Sequence, residues 1–378
     1  PLRRRLRSCG NIILTNPDML HQGILPHHAK WHMFFKNLKY IIIDEVHAYR
    51  GVLGSHLANI MRRMLRICTH YGAVPTFICS SATIANPQQH ASNICGRQIE
   101  IIDNDGAPKG PKSFILWNPP PLKTAAQGNE YWRTGGDRRG ALYETVNLMT
   151  EFIKEDIQTI SFVKTRIAAE LIFKDTHDRL KHISKTKAGS IRAYRGGYLP
   201  EDRREIERKL AEREILGIAS TNALELGIDI GSLDACILAG YPGTIASVWQ
   251  QSGRAGRGDT PSLVIFVAQN DPIDQYLMTY TDYLFRQNPE NAITDPDNPH
   301  ITVGHLKCAV NELPLTVEET VLFGEYSRAV LEVLEEDDFI KKIGNKYYFS
   351  SSSYPAGDTG LRNIAGPVYT IQKGGLNG

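Results

Sequence analysis

The 378 residues are 42% hydrophobic and 22% charged, with 32 Gly and 20 Pro, an ordinary globular composition that excludes fibrous and disordered classes. The longest apolar runs, such as Tyr40-Ile41-Ile42-Ile43 and residues 263–268, fall far short of the roughly 20 residues that cross a bilayer, so no membrane partner is expected. The net charge of +2 does not mark a nucleic-acid binder, but residues 1–104 hold twelve Lys/Arg against five Asp/Glu, which suits either a polyanion or a solvated basic face.

The chain opens on Pro1-Leu2-Arg3-Arg4-Arg5 with no initiator Met and no signal peptide, and is expected to be a piece of a longer protein. Apolar strands are predicted at 11–15, 40–43 and 76–80, alternating with amphipathic helices, the pattern of a parallel sheet covered on both faces. The clearest helix is 56–70, with Ser55 as N-cap. Leu57, Ile60, Met61, Met64 and Cys68 fall on one face, and Arg62, Arg63 and Arg66 on the other. The Pro/Gly-rich stretch 105–111 predicts a domain boundary.

Beyond it, strands are predicted at 114–117, 159–163, 190–194, 215–220, 235–238 and 263–268, with a charged helix at 200–213 opened by Pro200. From about 271 the helices are punctuated by Pro and Asn. A helix at 329–334 and a strand at 347–349 around Gly344-Asn345 suggest a small winged helix, and 351–378 reads as loop-rich. The expected architecture is therefore α/β: parallel-sheet domains at 1–104 and 105–270, and a helical, winged-helix-like region at 271–378. Six cysteines without a C-x-x-C pair predict a reducing, cytoplasmic setting with neither disulfides nor zinc.

The sharpest chemical signal is Ile43-Asp44-Glu45-Val46-His47. A parallel strand carries its carboxyl end to the crevice where α/β sheets bind ligands, and adjacent carboxylates repel unless a cation is present. Mg²⁺ held largely through water needs only one or two of them plus phosphate oxygens, which suits Asp44 for the metal and Glu45 for a water attacking a nucleoside triphosphate. The pair also reads as strand-end acids on a solvated loop. In Gln250-Gln251-Ser252-Gly253-Arg254-Ala255-Gly256-Arg257, two arginines three apart suit phosphate oxygens, with a basic surface turn as the plainer reading. Thr15-Asn16, Ser81-Ala82-Thr83 and Thr221-Asn222 end predicted strands. Singly, each is an ordinary cap or turn.

In order and spacing these segments, with Phe162-Val163-Lys164-Thr165-Arg166, resemble motifs Ib, II, III, IV, V and VI of superfamily 2 DExH-box helicases over residues 11–270. Residues 15–21, 44–51, 54–56, 81–87 and 305–309 resemble the MrfA/YprA type of DNA-repair helicases within that superfamily. The resemblance implies two RecA-like domains, ATP and Mg²⁺ as cofactors, and 3′-to-5′ movement on single-stranded or tailed duplex DNA. It implies that Asp44 and Glu45 are the metal and water-activating acids, and that His47, Ser81 and Thr83 couple nucleotide state to DNA. Arg254 and Arg257 would be arginine fingers, Gly227, Asp229 and Gln250 nucleotide-side residues, and Thr15, Asn16, Arg166, Thr221 and Asn222 DNA contacts.

The family's phosphate loop, G-x-x-x-x-G-K-[ST], is expected ahead of motif Ib and has no match here. The stretch Gly106 to Ser113 has a proline where a cradle needs N–H groups. The first domain is thus expected to be N-terminally truncated, with apolar surface exposed, and the chain alone inactive. Two alternatives stay open: a nucleic-acid-binding module without catalysis, and RNA rather than DNA as substrate.

Overall fold

The computed structural model describes residues 9–362 except 83, 105, 108–109, 122–137, 226–229, 232 and 257–259. The chain divides into two compact units, one from the described parts of Pro1–Ser81, Asn86–Ile101 and Asn291–Gly378, the other from Ala82–Ala85 and Ile102–Glu290.

In the first unit, β1 (Tyr40–Ile43) pairs in parallel with β2 (Thr76–Cys79), Ile43 standing opposite Cys79. The helices α1 (Gly51–His70) and α2 (Pro87–Cys95) flank β2 in sequence. Side chains alternate along a strand, so Ile41 and Ile43 enter the core with Leu57, Ile60, Met64 and Ile94, while Ile42 is 69% exposed. The outer face of this sheet is therefore bare among the described residues, which departs from the two-sided cover read from its strands and agrees with the apolar exposure expected of the first domain. The expected strand at 11–15 is not found among them: Ile13 packs on the core, but Ile12 and Leu14 are 85% and 96% exposed. Helix α1 starts earlier than predicted, so Ser55 lies inside it, its hydroxyl donating back to Gly51 O at 2.9 Å.

The second unit carries β3 (Lys112–Trp117), β4 (Thr159–Phe162), β5 (Ile191–Tyr194), β6 (Gly217–Ser220), β7 (Ala235–Ala239) and β8 (Ser262–Val267). They form one parallel sheet in the order β3-β8-β7-β4-β6-β5. Its near-continuous apolar strands fill two cores by alternation, with Cys236, Leu238, Val264 and Phe266 on one face and Ile237, Ala239, Ile265 and Val267 on the other. Helices α3 (Ala141–Lys154), α4 (Arg166–Lys181), α5 (Pro200–Ala211), α6 (Ile245–Ser252) and α7 (Pro272–Thr279) connect or follow the strands.

Residues from 291 onward complete the first unit. Helix α8 (Pro299–Glu312), capped by Asn298, leads to β9 (Leu315–Thr316), α9 (Ser327–Glu336) and the hairpin β10 (Ile340–Ile343) and β11 (Lys346–Phe349). The three strands make an antiparallel sheet over Leu306, Val310, Leu331 and Tyr347, a winged helix. Helix α8 packs on the face of α1 that the sequence left to solvent. Arg63 is fully buried and forms an ion pair with Glu312, Nε donating at 3.1 Å. Arg62 pairs with Asp297 at 2.7 Å and Arg66 with Glu319 at 3.0 Å. These arginines are docking groups, and the solvated-face reading fails because their acids lie more than 230 residues downstream.

Arg63 fixes the protonation of the histidines around it. A guanidinium only donates, so the Nδ1 atoms of His21 (2.7 Å) and His305 (3.2 Å) must accept from its Nη1. The remaining Nε2–H groups then donate to Thr359 O (3.1 Å) and His56 Nδ1 (2.9 Å). Burial, then the charge of Arg63, lowers His21 to about 4 and His305 well below the usual imidazole range.

Both rings are thus folded neutral, whereas in the unfolded chain they take up protons below about pH 6.5. Stability is full above that pH and falls as pH drops toward 4, by roughly 2 kcal/mol at pH 5 for His21 alone. A lower urea midpoint at pH 5 than at pH 7.5, with the loss reduced in His21→Gln, is expected. Equal midpoints would contradict the assignment.

Candidate nucleotide and nucleic-acid sites

In the first unit the parallel register that sets Ile43 opposite Cys79 brings the following pair, Asp44 and Ser80, together at the carboxyl ends of β1 and β2. Ser80 N–H donates to Ile43 O (3.0 Å), and its carbonyl accepts from Val46 N–H (2.8 Å). Its hydroxyl donates to Asp44 Oδ1, the same oxygen that accepts from Glu45 N–H at 3.0 Å. Glu45 has a left-handed backbone, φ 50°, uncommon for a residue with a Cβ and frequent at functional turns. The buried His47 follows in a 3₁₀ turn, its Nδ1 3.4 Å from Glu45 Oε2. His90 of α2 secures that turn, its Nε2–H donating to Val46 O at 3.0 Å. The expected acids and His47 therefore sit together, next to exposed Ser81.

Ser80 was not among the predicted residues, although it holds Asp44. Its partner is set by the register of β1 against β2, which the spacing of residues along the chain does not carry.

Thr15 and Asn16 are exposed on the same unit. Asn16 caps the short helix Pro17–Met19, its Oδ1 accepting from Met19 N–H (2.8 Å) and its carbonyl from Leu20 N–H (3.0 Å).

In the second unit β4 and β6 are neighbours, so the segments after them emerge side by side, tied by Val163 N–H to Ser220 O at 2.9 Å. Arg166 opens α4 and is exposed. Its helix is capped by Thr165 Oγ1, which accepts from Ala168 N–H at 3.1 Å. Thr221 is buried and Asn222 exposed after β6.

Gln250 lies half-buried on α6. Arg254 is turned inward, with Nη2 donating to Glu225 O at 2.6 Å. The Glu225 carboxylate accepts from Ser247 Oγ (2.7 Å) and Gln251 Nε2 (2.8 Å), tying the turn after β6 to α6. Glu225 and Gln251 are the further residues sequence reasoning missed, because a buried carboxylate inside an apolar run carries no spacing signal. Gly256 has φ 72°, and a Cβ there would lie 2.1 Å from Ser262 Oγ, so this turn admits only glycine. Thr83, Gly227, Asp229 and Arg257 lie outside the described residues.

Family models match three stretches: DEAD/DEAH box helicase at residues 2–91, helicase conserved C-terminal domain at 144–259, and the winged helix domain of the ATP-dependent helicase HRQ1 at 294–364. The Bacillus subtilis protein described as uncharacterized ATP-dependent helicase YprA is 48% identical over 364 residues, 96% of this chain and 47% of that protein. The ATP-dependent helicase hrq1 of Schizosaccharomyces pombe is 35% identical over 377 residues, 98% of this chain and 34% of that protein. A crystal structure of the DUF1998 helicase MrfA bound to DNA and AMPPNP superposes with a TM-score of 0.88 at 48% identity, over 96% of this chain and 49% of that one. The chain thus spans half or less of the length of these relatives. Taken with the strand-end acids and the winged helix, these matches identify the chain as a member of the superfamily 2 DExH-box helicases, of the MrfA/YprA type.

Proposed function

We propose that this chain forms part of an ATP-dependent DNA helicase or translocase that moves 3′ to 5′ on single-stranded or tailed duplex DNA in a cytoplasmic DNA-repair role. The observation that carries the reading is the hydrogen-bonded group of Asp44, Glu45 and Ser80 at two adjoining strand ends. Support comes from the relative whose structure contains both DNA and AMPPNP.

Among the described residues no group of three or more His, Cys, Asp and Glu is placed to hold a metal alone. That fits Mg²⁺, which is carried mainly by water and phosphate oxygens with one carboxylate, here Asp44. When bound, the ion supplies charge neutralisation of the phosphates. Glu45 orients the attacking water, His47 and Ser81 relay the state of the acids, and Arg257, joined by Arg254 once it leaves the Glu225 carbonyl, stabilises the charge on the transferred phosphoryl group. Thr15, Asn16, Arg166, Thr221 and Asn222 hold the DNA backbone rather than base edges, which allows movement without sequence preference. Thr83 belongs with the relay, and Gly227, Asp229 and Gln250 with the nucleotide.

The test is ATP hydrolysis by protein expressed from the complete coding sequence, with matched DNA and RNA strands. Turnover stimulated by single-stranded DNA and far less by RNA is expected. Stimulation by RNA alone would make it an RNA helicase, and strand binding without turnover a non-catalytic module.

A further inference from the structure

We propose that His21 and Arg63 form a positioning device that fixes the Thr15-Asn16 turn for nucleic acid, using the winged helix as its anchor. The proposal rests on the reading of that turn as a DNA contact.

The turn is exposed, but the backbone that leaves it is tied down at once. Asn16 accepts from Met19 and Leu20 N–H groups, so its orientation is rigidly linked to the helical segment Leu20–Ile24 that contains His21. His21 is fully buried and held from two sides, Nδ1 accepting from Arg63 Nη1 and Nε2–H donating to Thr359 O. Arg63 comes from α1 and is itself held by Glu312 and His305 of α8. Thr359 packs against α8 at Gly304, where a Cβ would lie 2.7 Å from Thr359 Oγ1, so only glycine permits the approach that presents this carbonyl to His21.

Two outer tethers act on the same segment: Tyr354 Oη donates to Gln22 O, and Arg362 pairs with Asp18 at 3.4 Å. Helix α1, helix α8 and the 354–362 stretch therefore all grip the six residues that follow Asn16. Apolar side chains would fill this space with less desolvation cost than a buried guanidinium. What the polar set adds is direction, since each bond fixes one angle of the segment that carries Asn16.

The test uses protein from the complete coding sequence and two titrations, a fluorescein-labelled oligo(dT) strand and a fluorescent ATP analogue. His21→Leu, which removes both ring bonds, is expected to weaken DNA binding by about tenfold while leaving nucleotide affinity within about twofold. His21→Gln keeps one acceptor and one donor and should restore DNA affinity to within about threefold of the original.

Unchanged DNA affinity in His21→Leu overturns the proposal, and so does a parallel loss of DNA and nucleotide binding, the mark of a purely structural role. Should His21→Leu not fold, Tyr354→Phe decides. It removes an outer tether at a partly exposed side chain, and unaltered DNA affinity there overturns the proposal as well. If the unmodified protein does not bind the strand at all, the DNA reading itself fails and the positioning device falls with it.

Discussion

Glu45→Gln is expected to cut ATP turnover by about 10³-fold, in the range that positioned general bases contribute, while nucleotide affinity stays within about twofold. Gln preserves the volume and hydrogen-bonding reach of Glu but cannot take a proton from water. The surrounding frame does not depend on the carboxylate: Glu45 is placed by its own N–H to Asp44 and Ser80, and the next residue by Val46 N–H to Ser80 O. The variant should therefore fold and bind, and the deficit should appear in kcat rather than in KM. Turnover equal to that of the unmodified protein would remove Glu45 from the reaction.

The second large effect is on stability. Glu312→Ala leaves the Arg63 guanidinium buried without its carboxylate, a change that costs about 3–5 kcal/mol when a buried pair loses one partner. Against the roughly 5–15 kcal/mol that holds a domain together, this should release the winged helix from α1 or unfold the unit.

Glu319→Ala is the control. Arg66 is buried and Thr316 N–H also loses its acceptor, but the guanidinium keeps the Ala309 and Leu313 carbonyls at 2.7 and 3.0 Å, so a loss smaller than that of Glu312→Ala is expected. Urea unfolding combined with limited proteolysis of the 291–362 stretch reads both variants. Similar small losses in the two would mean that Arg63 finds other compensation and that the Glu312 pair is not the fastening point.

What the sequence made legible follows the range of the interactions. The second sheet was readable almost strand for strand, because a parallel strand buried on both faces is a short apolar run and its helices have their own periodicity. The acids and hydroxyls at strand ends were readable because the carboxyl edge of such a sheet is where chemistry collects. The strand at 11–15 was misjudged, since an apolar run states that a residue prefers burial but not which neighbour provides it, whereas the bare face of β1 agrees with the apolar exposure expected of the first domain.

Ser80 and Glu225 were missed because their partners are set by register and by a turn, not by spacing. The hardest reading was the α1 arginines. Periodicity put them correctly opposite the apolar stripe, but the acids that claim them lie on another helix far along the chain.

Those buried arginines also bear on how tightly DNA would be held as salt rises. Phosphate-bound cations displace condensed counterions, and each adds to the slope of log affinity against log salt. Arg63 and Arg66 are buried and already matched by carboxylates within the protein, so they release no counterions and contribute nothing to that slope. The basic surplus of the first hundred residues overstates the grip on a polyanion by these two charges.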